Sequence, residues 1–385
     1  MTHRQRLLAA LDHQPTDRLP VTTHHVMPYF LDKYLGGASV QEFFERFDLD
    51  AIRWTLPVRP DASRGESFTP DTGEPGFLQI KRIESDKWRI HSADLPHKQF
   101  KTTRYTIDTP KGTLTSVIQG NSYTDWVAET LLKEKSDLDL IREFVTHPLC
   151  DTEAVRKERE EFGERGIVRA FVLPFDLYGQ PGCWQDFCCI RGTEKAIMDT
   201  FDDPLWVHEV LGVLRDRKLD YIRSLKGSGY DLIELGGGDA STTVISPTLF
   251  RSFVQPYDAA LIAAAKEAGI RIVYHTCGGM MPILDDIADM GPAAMETFTP
   301  REMGADVDLS EAKRRIGHRV CMIGGFNQAH YFKDCSPRAT RAYVRRCFEQ
   351  AGAGGGFILA PSDHFFDADI TLIEAFADEA RNCVY

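Results

Sequence analysis

Two residues two positions apart, His275 and Cys277 in the run His275-Thr276-Cys277-Gly278-Gly279, carry the sharpest chemical signal in the sequence. In an extended strand, residues i and i+2 project to the same side. An imidazole and a thiolate so placed face one point, about the separation that a shared tetrahedral zinc ion requires. The plain alternative is a buried histidine and an inert cysteine, since H-x-C also arises by chance. A complete site needs a third and perhaps a fourth ligand from other strand ends, for which Asp363, His364, Glu234 and Glu296 are the candidates. Asp363-His364 directly follows the apolar run 356–361 and offers a metal ligand or a general acid–base. It reads equally as a helix-capping aspartate beside a solvent-facing histidine. Glu234 and Glu296 are ligands or substrate-orienting carboxylates, or else ion-pair partners of an arginine or lysine inside the fold. Glu234, His364 and Asp176 are placed to move protons; His25, Asp239, Glu296 and Asn327 are placed to touch substrate. Beside His25, His24 reads as mouth-lining, with a structural role as good an account. Gly236 to Gly238 lack the lysine of a phosphate-binding loop and the spacing of a dinucleotide fingerprint. Cys188 and Cys189 read as core thiols.

These residues need elements to aim them. Eight apolar, β-branched runs supply candidate strands at 18–25, 51–54, 166–175, 231–235, 271–275, 293–298, 320–326 and 356–361. Helix starts lie between them: Asp203-Pro204, Ser246-Pro247 and Ser336-Pro337 each pair a capping side chain with proline at the first helical position. Strands alternating with helices imply parallel pairing through crossovers, and eight of them fit a (β/α)8 TIM barrel, with an open doubly wound sheet as the alternative. Barrel active sites gather at the carboxyl ends of the strands, where the residues named above fall. One region breaks the alternation. Residues 56–120 are polar and Pro/Gly-rich, then alternate with period two, with a plausible hairpin turn at Thr109-Pro110-Lys111-Gly112. This predicts an antiparallel β insertion after strand 2, lying over the mouth as a lid or partner surface within a single domain spanning 1–385.

Composition bounds the rest. The 385 residues are 43% hydrophobic and 26% charged, an ordinary globular balance. The net charge of −12 disfavours nucleic acid and anionic membrane as partners. No apolar run approaches the ~20 residues of a membrane span, and the short run after the basic N-terminus does not make a signal peptide. Nine irregularly spaced cysteines suggest reduced thiols and a cytoplasmic location. The oligomeric state is open, a homodimer among the options.

At this point the sequence resembles the uroporphyrinogen decarboxylase superfamily, and within it the branch of cobalamin-dependent methyltransferases. The resemblance is carried by residues 4–21 (RQRLLAALDHQPTDRLPV), Ile245-Ser246-Pro247 through Pro256-Tyr257, His275-Thr276-Cys277-Gly278, Gly324-Gly325-Phe326, and residues 354–361 (GGGFILAP). It implies a (β/α)8 barrel. The decarboxylases carry an arginine-rich segment after strand one that holds substrate carboxylates; here it reads His24-His25-Val26-Met27-Pro28-Tyr29, without arginine. The zinc methyltransferases carry H-x-C on strand five, matching His275 and Cys277, and a cysteine after strand eight, where this chain has Ser362-Asp363-His364 and Asp363 aligns best. The implied activity is zinc-dependent transfer of a methyl group between a small methylated substrate and a corrinoid held by a separate partner protein, since no D-x-H-x-x-G corrinoid motif occurs here. A methyl ether, hence O-demethylation, is the natural guess, because Phe326, Phe365, Phe366, Tyr178 and Trp184 fall near the expected mouth. The alternative is a decarboxylase or lyase of the same fold, using Asp176, Asp239 or His364 as general acid. A non-catalytic corrinoid- or metal-binding chaperone is disfavoured by so many ionisable groups at the mouth.

Overall fold

A computed structural model describes residues 1–70 and 81–385; residues 71–80, within the expected insertion, lie outside it. Seven short strands form one parallel sheet, each rich in Ile, Val, Leu, Ala or Met. They are β1 (Ala51–Trp54), then, after the insertion strands β2 to β5 given below, β6 (Gly166–Phe171), β7 (Leu232–Gly236), β8 (Ile272–His275), β9 (Ala294–Thr297), β10 (Cys321–Phe326) and β11 (Phe357–Pro361). They pair in sequence order. β7, β10 and β11 are buried at every position, as a parallel sheet covered on both faces requires. The expected first strand, 18–25, contracts to one bridge, Val21 with Leu359. Leu359 N donates to Pro20 O and Thr22 N to Leu359 O, both at 2.9 Å, and Asp50 N donates to Val21 O at 2.7 Å. Pro20 has no N–H to extend that ladder. This segment thus links the last strand to the first, and the fold is TIM-barrel-like.

The helices begin where their caps stand. In α1 (His3–Leu11), Thr2 and Gln5 form a capping box. Asp203 caps α2 (Pro204–Ser224), and Ser336 caps α4 (Pro337–Ala351). Between them, Ser246 caps a short turn at Pro247–Leu249 that widens into a π-helical stretch, Phe250–Val254, before α3 (Gln255–Glu267). Pro256, at the second position of α3, cannot donate back into the preceding turn, which accounts for the widening.

The region after β1 holds a four-stranded antiparallel sheet of β2 (Arg89–Asp94), β3 (Lys101–Thr109), β4 (Gly112–Gly120) and β5 (Asp125–Glu129). Thr109 pairs with Gly112 across a two-residue turn. The sheet runs to Glu129, past the expected limit at 120. The chain reverses because Asn121 Oδ1 accepts hydrogen bonds from the N–H groups of Tyr123 and Thr124, and this turn feeds a strand of only five residues, too short to show as an alternating run in the sequence. None of the described helices is long and apolar enough to cross a membrane.

Candidate active site at the carboxyl ends of the strands

A cavity of about 990 Å³ opens at the carboxyl ends of the parallel strands, with residues 121–125 of the antiparallel sheet on its wall. Seven of the residues singled out from the sequence line it: His25, Glu234, Asp239, His275, Cys277, Asp363 and His364. Strand register brings the charged ones together. His275 at the end of β8 is the direct partner of Glu296 on β9, and Gly236 of β7 is the partner of His275, so Glu234 lies two residues back on the same side.

At the cavity floor these groups form an ion cluster with Arg169, from another strand, and His24, from the segment just after the Val21 bridge. His24 Nε2 donates to Glu234 Oε2 at 2.9 Å and lies 3.3 Å from Glu296 Oε1. His275 Nδ1 donates to Glu296 Oε1 at 3.0 Å and lies 3.8 Å from Glu234. Arg169, on β6, donates to Glu234 Oε2 at 2.7 Å and spans both oxygens of Glu296. Its guanidinium stacks on Trp54, 4.4 Å from the ring centre. Donor atoms of His24, Glu234, His275 and Glu296 all lie within 4.8 Å of one another.

The charges set one another. Burial would raise the Glu296 carboxyl, but Arg169 and His24 hold it well below the usual range; Glu234 is held down too, by His275 and His24 against its own burial. Burial alone would lower His275, yet Glu234, a hydrogen bond with Cys277 and another to Glu296 keep it well above the usual histidine value. His24 is raised in the same way, against burial, by Glu296 and Glu234. His25 goes the other way: burial, then the neighbouring His24 and His364, push it well down. Asp363 is lowered because His364, 3.2 Å away, outweighs its burial.

Not every expectation lands here. Asp176 is not at the mouth. The strand meant to end beside it stops at Phe171, and the chain then passes through Pro174. Its carboxylate accepts from Arg217 on α2 at 2.5 Å, Trp88 Nε1 at 3.2 Å and Thr146 Oγ1 at 3.3 Å. It joins the residue before β2 to the barrel's helical layer and borders a different cavity. Asn327 caps a helical turn, its Oδ1 accepting from His330 N at 3.1 Å, and also borders a separate cavity. Asp239 lines the mouth, tied to Gln185 Nε2 at 2.8 Å. Glu296 is only 2% exposed and is the partner of an internal arginine, the alternative that its sequence position allowed. Of the expected mouth aromatics, Phe326, Phe365 and Trp184 are core, Tyr178 is on the wall, and Phe366 packs on Tyr123. Cys277 sits against Gly238, where a Cβ would come within 2.8 Å of its sulfur, so only glycine leaves the thiol room.

The structure does not gather the expected ligand set His275, Cys277 and Asp363 within 4.8 Å of one another; among the described residues the groups that close are His24, His25 and His364, and His24, Glu234, His275 and Glu296, and His24 joins both. His24 was given no chemistry on sequence, and Arg169 was missed. The signal for Arg169 was present: an arginine inside the apolar run GIVRAF must be paired if that strand is buried. All nine cysteines are free, and Cys188 is buried, as a core thiol should be.

The sequence profile of the uroporphyrinogen decarboxylase (URO-D) family matches residues 181–383, more than half the chain, and the chain belongs to that family. Relatives carry two kinds of name. The uroporphyrinogen decarboxylase of Nocardia farcinica is 30% identical over 176 residues, 45% of each chain, so the match spans less than half of that relative. The uroporphyrinogen decarboxylase of Xanthomonas euvesicatoria is 22% identical over 92% of this chain and 90% of its own. The methylcobamide:CoM methyltransferase MtaA of Methanosarcina barkeri is 27% identical over 119 residues, 31% of this chain and 33% of its own. A solved methyltransferase from Methanosarcina mazei superposes over 99% of both chains with a TM-score of 0.62 at 16% identity, a shared fold.

Proposed function

We propose that this protein is a zinc-dependent methyltransferase that moves a methyl group between a small methylated substrate and a corrinoid carried by a separate protein. One observation carries the choice over tetrapyrrole decarboxylation. Among the described residues lining the cavity there is no lysine and no arginine, whereas Asp125, Glu234, Asp239 and Asp363 all face it. A substrate bearing several carboxylates would meet like charge with no guanidinium or ammonium to pair with. The buried Arg169 is already committed to two glutamates. The uncharged part of the wall, Tyr29, Tyr123, Phe171 and Tyr178, suits a small aromatic methyl ether, the O-demethylation case.

The donor types suit zinc: imidazole, thiol and carboxylate all line the cavity and match a borderline-soft ion, which would have to draw the three side chains together. His275, Cys277 and Asp363 would hold it, and bound zinc would supply Lewis acidity with a coordination position open to substrate. The protein's own groups do the rest. Arg169 keeps Glu234 and Glu296 ionised, and these orient His275 and His24. His364, on the rim beside Asp363, would deliver a proton to the departing oxygen, and the ionised Glu234 would accept one. The corrinoid partner would approach over the mouth, past residues 121–125. A decarboxylase or lyase acting on a different substrate is the second reading, favoured by the family match itself. It would rely on His364 or Asp239, because Asp176 is bound elsewhere.

Metal analysis with a methyl-transfer assay tests the choice. Purified protein should carry about one zinc per chain and demethylate a small methyl ether in the presence of reduced cobalamin. His275→Ala and Cys277→Ala should each lower zinc content and activity together. Full methyl transfer by metal-free protein would refute the zinc reading, and carbon dioxide release by chelated protein, with no methyl transfer, would establish the second.

A further inference from the structure

We propose a second metal site at the same mouth, made by His24, His25 and His364, that takes a divalent transition-metal ion on nitrogen ligands alone. The donor atoms of these three side chains lie within 4.8 Å of one another. A tetrahedral ion with nitrogens about 2.05 Å away would need each donor to move inward by at most about 0.8 Å from that outer limit. The three residues come from two separate segments, the chain just after the Val21 bridge and the loop after β11, so folding alone brings them together.

Two of the rings already have the support that metal-ligating histidines need. His24 Nε2 is held by Glu234 at 2.9 Å, and His364 Nδ1 faces Asp363 Oδ1 at 3.2 Å. A carboxylate on one ring nitrogen fixes the tautomer and the ring orientation of a histidine that binds an ion through the other. The third ring is held by packing. His25 stacks on His364, 5.1 Å between centres with 12° between planes, and lies 4.2 Å from the Trp54 ring centre. No lysine or arginine among the described lining residues competes for the position, and the surrounding carboxylates favour a cation. Three neutral imidazoles select zinc, cobalt, nickel or copper over magnesium or calcium. Their open side faces the cavity, leaving room for water or a substrate atom.

This site stands apart from the methyl-transfer reading, because it needs neither Cys277 nor a corrinoid. It is tested by binding alone, with cobalt(II) as the only probe and no methyl donor present. Chelator-stripped full-length Cys277→Ser protein should still bind one equivalent of cobalt(II), with no thiolate charge-transfer absorption. Adding His25→Ala or His364→Ala to that background should weaken binding at least tenfold. Circular dichroism checks that each variant is folded, and His364→Gln, on the half-buried rim, repeats the test with less change of packing. The site is absent if Cys277→Ser protein binds no cobalt(II), or binds it equally well with and without His364. Either result leaves the methyl-transfer assay free to succeed or fail on its own.

Discussion

The barrel carries two charge clusters, one at each end, and they are built for opposite purposes. At the amino ends of the strands, Arg4 on α1 makes a two-pronged contact with Asp231, at 2.7 and 2.5 Å. Arg6 bridges Asp17 and Asp50, and Asp50 also accepts from Val21 N at 2.9 Å and from His3. Each carboxylate there faces a guanidinium or a backbone N–H, and α1 seals the end. At the carboxyl ends, Glu234 and Glu296 share a single guanidinium with two histidines, under an open cavity. One arginine for two carboxylates leaves a net demand for positive charge, met by protons on His24 and His275 or by a metal. The first cluster is closed and holds the fold; the second shares one guanidinium between two carboxylates under an open cavity.

The widest separation between the clusters should come from their cations. Arg169→Met leaves two buried carboxylates without their shared partner. It should cost about 3–5 kcal/mol in urea unfolding and abolish activity in whatever folds. A loss below ~1 kcal/mol would mean that the upper cluster is already balanced without arginine. Next comes a carboxylate with no cation in hydrogen-bond contact. Asp258, behind β8, accepts from Tyr274 Oη at 2.9 Å and Cys183 N at 3.4 Å, and burial pushes its carboxyl up to about 6. Because the folded state binds that proton more tightly than the unfolded chain, its contribution is full below about pH 4 and is lost as pH rises through about 6. The loss is as much as ~3 kcal/mol. Asp258→Asn should flatten the stability profile across that window, whereas an unchanged slope would place the titration elsewhere.

Smaller effects sharpen the contrast. Arg4→Ala should cost about 2 kcal/mol by thermal or urea unfolding, because Asp231 keeps only backbone support, including Val168 N at 2.9 Å. Turnover per folded molecule should stay within twofold of the unaltered protein. A large fall in turnover would show that the two ends communicate. Smallest of all, Asp176→Asn should cost about 1–2 kcal/mol through its contacts with Arg217, Trp88 and Thr146, again with turnover intact. A hundredfold fall in turnover would return Asp176 to the chemistry.

Most of the fold was legible in the chain. The seven sheet strands coincide with apolar runs because strands buried on both faces can afford little else, and three helix starts were marked by caps whose hydrogen bonds depend only on neighbours. A place on the cavity wall was legible wherever a residue sat at or just past a true strand end, as with Glu234, His275 and Cys277. It was misread where a strand stopped early, at Phe171 before Asp176, or where a side chain turned back to cap its own helix, as Asn327 does.

Local pattern alone thus determined the alternation of strand and helix, the acidic balance, and the place of His275 at the end of its strand with Cys277 just beyond it. Only the folded chain decided that His24, Arg169 and Glu296, each more than a hundred residues from the next, share one buried cluster, and that His364 lies against His25. The reason is physical. Periodicity and capping act between residues a few positions apart, whereas burial of a charge is settled by whichever distant group the closed sheet sets beside it.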